Sequence, residues 1–78
     1  MRQQDPVTRY TVIVEEGATS WGVYAPHLPG CVAAGESREE ALRLIREAME
    51  FHLEGLRARG QPVPEPRSRG EVVEVHAA

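Results

Sequence analysis

The sequence predicts an α+β domain of order β-β-β-α-β, in which one long helix packs on a three-stranded antiparallel sheet. Three observations carry that reading. Two β-branched, aromatic stretches flank a glycine-containing turn, which is the pattern of an antiparallel hairpin. A capping box at Ser37 opens a long amphipathic segment that closes near Gly60. A valine-rich stretch, Glu71 to His76, follows a proline-rich connector.

The first strand is placed at Arg9–Glu15, with Tyr10, Val12 and Val14 on one face and Thr11, Ile13 and Glu15 on the other. Glu16 to Ser20 forms the turn, and Trp21–Ala25 returns as the second strand. Two prolines then stiffen Pro26-His27-Leu28-Pro29-Gly30-Cys31. Each fixes its own φ and keeps the preceding residue, Ala25 or Leu28, extended, while Gly30 permits a sharp bend. The loop is built to hold a shape. Cys31–Ala34 supplies a short third strand of small side chains.

In Ser37-Arg38-Glu39-Glu40, the Ser37 hydroxyl is positioned to accept from the Glu40 N–H, and the Glu40 carboxylate to reach back to the Ser37 N–H. Glu39 and Glu40 suit the positive end of the helix dipole. Arg57, Arg59 and the cap residue Gly60 set the other end, so the helix spans Arg38 to Arg59. Arg43/Glu47 and Arg46/Glu50 are spaced as i,i+4 pairs. At 100° per residue, Leu42, Leu53, Met49, Leu56, Ile45, His52, Ala41, Ala48, Leu44 and Phe51 spread over roughly 200° of arc, whereas a helix facing only its own sheet needs little more than 100°. The surplus requires a second cover. A homo-oligomer (dimer or tetramer) is therefore expected, with Leu44, Ala48, Phe51 and His52 at its interface. Gln61 to Gly70 reads as an extended proline-rich connector, residues 1–8 as disordered, and Glu71–His76 as a closing strand.

All 78 residues fit one domain, and a chain this short is commonly stabilised by disulfides, metals or self-association. Cys31 is the only cysteine, which excludes an internal disulfide and argues against cysteine-based zinc binding. A net charge of −3 argues against nucleic-acid binding by the whole surface. Neither a signal peptide nor a membrane span is apparent, so a cytoplasmic location is expected.

Catalytic groups are scarce. His27 and Cys31 are four apart, as a thiol–imidazole pair or residual hydrolase site would allow, but a loop does not hold them within bonding reach. Cys31 is read as a small buried apolar residue and His27 as a loop residue. His52 is read as a hydrogen-bonded helix contact rather than a metal ligand or pH-sensitive contact. The only aspartate is Asp5, and no phosphate-cradling glycine-rich loop is present. No catalytic residue, metal or cofactor is expected. Arg57, Arg59, Arg67 and Arg69 form a basic patch around the connector.

Tyr10, Trp21–Ala25, Pro26–Cys31, the Gly35–Leu42 helix start and the exit at Gly60, Pro64 and Pro66 together resemble the HicB-like antitoxin family. The resemblance covers about Arg9 to Val75 and implies a partial ribonuclease H-like fold. It further implies a non-enzymatic protein that binds and occludes HicA, a small basic mRNA-cleaving toxin; an acidic antitoxin suits such a partner. Pro26, His27, Leu28, Pro29, Arg67 and Arg69 are the residues expected at the partner surface. Family members often carry Asp at the position of His27. Many append a DNA-binding segment, so this chain alone is not expected to bind DNA. The alternative is an orphan oligomeric module of the same fold that senses RNA or a small ligand.

Overall fold

The computed structural model describes residues 8–77. The order is β1 (Ile13–Glu16), β2 (Trp21–Tyr24), β3 (Val32–Gly35) and α1 (Arg38–Ala58), an α+β arrangement of one sheet and one helix. The sheet order is β1-β2-β3 with both pairs antiparallel. Val14, Val23 and Ala33 face one another across the three strands, as do Ile13, Tyr24 and Val32 one step along. Opposed residues share a face, so the first row packs beneath the helix. In the second row, Tyr24 and Val32 are exposed.

The first strand is shorter at its start than the alternation predicts. Ile13 pairs with Tyr24, and Val12 would next face Ala25, where the chain already turns into the loop. Tyr10, Val12 and Val14 still lie against the core, as the period-2 pattern requires. The hairpin closes at Gly17–Ser20, whose ends are joined by a 2.7 Å bond from the Gly17 N–H to the Ser20 carbonyl.

The core is small: Val23, Ala25, Leu28, Cys31, Ala41 and Ile45. Trp21, Leu42, Met49 and Leu53 are partly buried against it. The helix thus meets the sheet through Ala41, Leu42, Ile45, Met49 and Leu53, one stripe of its apolar arc.

Both helix ends are capped by local chemistry. Ser37 is extended (φ −135°, ψ 163°), and its hydroxyl accepts from the Glu40 N–H at 3.0 Å. The return bond differs from the expected one: the Glu40 carboxylate accepts from the Glu36 N–H at 2.6 Å rather than from Ser37. Gly35 explains the shift. A Cβ there would lie 3.0 Å from the Glu40 Oε1 and 2.7 Å from the Ala41 nitrogen, so only a glycine leaves room for the carboxylate to fold back over the end of β3. At the far end, Gly60 adopts φ +69°; its N–H donates to Arg57 and that of Gln61 donates to Leu56. These are the paired bonds of a Schellman motif. Of the two i,i+4 pairs, Arg43–Glu47 forms at 3.4 Å and Arg46–Glu50 does not. Exposed pairs of this kind stabilise little.

One expected element is corrected. Residues 71–76 form no strand within the described chain. The connector is fastened beside the start of β1 by bonds from the Tyr10 hydroxyl to the Pro64 carbonyl and from the Thr11 hydroxyl to the Ser68 carbonyl at 2.8 Å. Beyond it Val72, Val73 and Val75 are 96, 75 and 78% exposed. Among the described residues, no hydrogen bond joins residues 71–77 to a sheet edge.

The close approach at Gly35 makes a direct test. Gly35→Ala should destabilise the domain by about 1–3 kcal/mol in urea unfolding, the range for forcing atoms into a filled site. Gly22→Ala, with nothing within 4 Å of the added Cβ, serves as the control and should change stability by less than about 1 kcal/mol.

Candidate functional site

The Ala25–Cys31 segment folds as two linked turns. The Leu28 N–H donates to the Ala25 carbonyl at 3.1 Å, and the Cys31 N–H to the Leu28 carbonyl at 3.0 Å. Each proline takes the second position of its turn, where a fixed φ near −65° fits without strain. Gly30, at φ +88°, takes the third position of the second turn, the left-handed slot of a type II turn. A further bond from the Ala25 N–H to the Cys31 carbonyl, 3.1 Å, closes the base. Two prolines and these three internal backbone bonds hold the loop in shape.

Leu28 corrects an expectation. Placed at the partner surface by its loop position, it is instead 0% exposed and sits in the core. A loop folded as two tight turns has an inside, and the apolar residue between the prolines fills it. Pro26 and Pro29 point to solvent, and His27 is half-buried. The His27 Nδ1 is buried with no hydrogen-bond partner among the described residues.

Cys31 is buried, and burial raises its thiol pKa above 9.0 by desolvation. A raised pKa leaves less thiolate at neutral pH, the opposite of what a nucleophile needs. No hydrogen bond joins Cys31 to His27 among the described residues, and no group of three or more His, Cys, Asp or Glu there is arranged to hold a metal.

The loop and the helix share a surface. A depression of about 340 Å³ is lined by Gly30 and Cys31 from the loop and by Ala48, Phe51, His52, Gly55 and Arg59 from α1. Phe51 stands 78% exposed at its side. Of the residues expected at the helix flank, Ala48, Phe51 and His52 line this depression, whereas Pro26, His27, Leu28 and Pro29 of the loop do not. Gly55 and Arg59 were not anticipated there, although Ala48 and Gly55, seven residues apart beside Phe51, mark a low strip on one helix face. Leu44 is half-buried further along that flank. Glu47, Glu50 and Glu54 are exposed on the neighbouring face, and only Glu47 has an ion-pair partner among the described residues.

Arg69 lies elsewhere. With Arg9, Tyr10, Thr11, Pro66 and Ser68 it lines a second, polar cleft of about 350 Å³ beside the connector. Arg67 is exposed and 3.4 Å from Glu65. Neither Arg67 nor Arg69 lines the depression beside Gly30 and Cys31.

Fold and surface together define a small α+β domain with a rigid loop and an uncovered apolar helix flank. The family described as the HicB-like antitoxin of bacterial toxin–antitoxin systems matches residues 10–77. A UPF0150 protein of Thermoplasma acidophilum is 36% identical over 70 residues, covering 88% of this chain and 99% of that protein. A Synechocystis UPF0150 protein is 39% identical over 59 residues, 74% of this chain and 75% of its own. Antitoxin HicB 2 of Photorhabdus laumondii is 36% identical over 75 residues, 90% of this chain but 51% of the relative, so this chain spans about half of that antitoxin. The chain belongs to the HicB-like antitoxin family. No solved structure matches it at comparable significance.

Burial of Cys31 sets an expected outcome. At pH 7 the folded protein should react with iodoacetamide at least tenfold more slowly than the urea-unfolded chain. The rate should still be rising with pH above 9.0, where an ordinary thiol has begun to level off. Equal rates folded and unfolded would show an accessible, unperturbed thiol.

Proposed function

We propose that this protein is an antitoxin that binds a small, basic, mRNA-cleaving toxin of the HicA type and neutralises it by covering its surface. The observation that carries the reading is the depression between the Gly30–Cys31 corner and the Ala48–Arg59 flank of α1, with Phe51 exposed beside it. An aromatic ring offered next to a preformed concavity is the usual anchor of a protein interface. The rigid loop forms one wall at little entropic cost on binding. Exposed Glu50 and Glu54 add the charge that steers a basic partner.

This reading moves the helix flank of Leu44, Ala48, Phe51 and His52 from self-association to toxin contact, with Gly30 and Cys31 beside it. Inhibition proceeds by occlusion and requires no catalytic group, metal or cofactor. The protein works in the cytoplasm, where mRNA is cleaved. No helix among the described residues is long and apolar enough to cross a membrane.

Co-expression with the product of a small, basic, HicA-type toxin gene tests the proposal. The wild-type chain should restore growth and co-purify with that product. Phe51→Glu should weaken the complex by about 30-fold or more, the scale of a lost interface anchor of 2 kcal/mol or above, and abolish rescue. Because Phe51 is largely solvent-exposed, its replacement should leave the circular dichroism spectrum and the urea midpoint within error. Undiminished rescue by Phe51→Glu would remove the helix flank from the interface.

A further inference from the structure

We propose that the polar cleft beside the connector is a phosphate-binding site, with Arg9 and Arg69 as its two cationic arms. The cleft, of about 350 Å³, is lined by Arg9, Tyr10, Thr11, Pro66, Ser68 and Arg69. Its two guanidinium groups come from opposite ends of the sequence. Both side chains are exposed, so their charged ends reach a ligand arriving from solvent.

Packing and hydrogen bonds bring the two ends together. The Tyr10 hydroxyl donates to the Pro64 carbonyl, and the Thr11 hydroxyl to the Ser68 carbonyl at 2.8 Å. Past Arg69 the chain still follows Thr11: a Cβ built on Gly70 would lie 3.9 Å from the Thr11 Cγ2, ordinary van der Waals contact. Arg69 is thus held through both of its neighbours to Thr11, which stands next but one to Arg9. Pro64 and Pro66 stiffen the approach. The cleft is formed before a ligand arrives, which lowers the ordering cost of binding.

Electrostatics then selects the ligand. Two like charges gathered at one cleft repel each other, and an anion between them turns that cost into attraction. The gathering runs against the overall balance of the chain, whose net charge is −3. Arg67, next in line, is committed differently, 3.4 Å from Glu65. Each guanidinium presents a planar fork of N–H donors that matches phosphate oxygens bidentately, and Ser68 adds a hydroxyl donor. One fork suffices for a carboxylate; two forks and a hydroxyl suit the larger oxygen set of a phosphate. The cleft volume is in the range of small-ligand sites, with space for the sugar or base that carries the phosphate. The ligand class is therefore a nucleotide phosphate, free or within an RNA chain. Arg9 and Arg69 take no part in the depression beside Phe51, so the inference does not rest on toxin binding.

Amide chemical-shift titration of the full chain tests it, with uridine 5′-monophosphate, uridine and a short RNA lacking a terminal phosphate as ligands. The monophosphate should shift Arg9, Thr11, Ser68 and Arg69 with a Kd of about 1 mM or tighter, and uridine should not. The short RNA distinguishes the two sources: comparable shifts extend the site to phosphates within a chain, and their absence assigns it to the free nucleotide. Arg9→Ala and Arg69→Ala should each weaken binding about tenfold, the scale of one lost charge-assisted bond. Arg67→Ala should change it less than about twofold, as expected of an exposed charge outside the cleft. All three side chains are exposed, so the circular dichroism spectra should match that of the wild type. Equal shifts with uridine and its monophosphate, no shift at about 10 mM monophosphate, or an equal loss in Arg67→Ala would each overturn the inference.

Discussion

Leu28, held between two prolines and wholly withdrawn from water, is the contact on which the rest of this small structure depends. Its side chain fills the inside of the double turn and meets a core otherwise made of Val23, Ala25, Cys31, Ala41 and Ile45. Two of those neighbours are alanines and one is a cysteine, so Leu28 supplies much of the core volume. Full burial of such a side chain is worth about 1.5–3 kcal/mol. That is a large share of the few kcal/mol a core this size usually provides. The same burial orients the loop: with Leu28 inward, Pro26 and Pro29 face solvent, and Gly30 and Cys31 are brought to the flank of the helix.

The junction between β3 and α1 adds a second constraint. Gly35 lets the Glu40 carboxylate close over the strand end onto the Glu36 N–H, while Ser37 caps Glu40. These bonds fix where the helix starts, and so which of its faces meets the sheet. With Ala41 and Ile45 inward, the 3.6-residue repeat carries Phe51 and Gly55 off to the side. An apolar flank beside a preformed corner thus follows from the capping chemistry. The fold buries one half of the helix stripe and displays the other.

Much of this was legible in the sequence. The hairpin, the short third strand and the helix bounds follow from alternation and capping signals, which are local and strong in Trp21–Tyr24, Ser37–Glu40 and Arg57–Gly60. The excess apolar arc was legible too, since periodicity alone shows that a single sheet cannot cover it. The place of Leu28 was not, because a residue between two prolines reads as exposed loop until the nested bonds of Ala25, Leu28 and Cys31 are known. Nor was the fate of Glu71–His76. Pattern identifies a strand former, whereas pairing depends on where a stiff connector delivers it. The joining of Gly30 to Gly55 across the depression lies beyond sequence spacing, since it arises from packing between distant segments.

What unites these features is a division of labour: a core just sufficient to hold the sheet and helix, and a rigid corner with an adjacent helix flank presented outward. Backbone chemical-shift mapping of the labelled chain, titrated with a small basic HicA-type toxin, tests that account most directly. The account predicts perturbations concentrated at Gly30, Cys31, Ala48, Phe51, His52 and Gly55, with the buried rows of the sheet little affected. Perturbations confined to the Arg9–Arg69 cleft, or no perturbation at all at saturating partner, would contradict it.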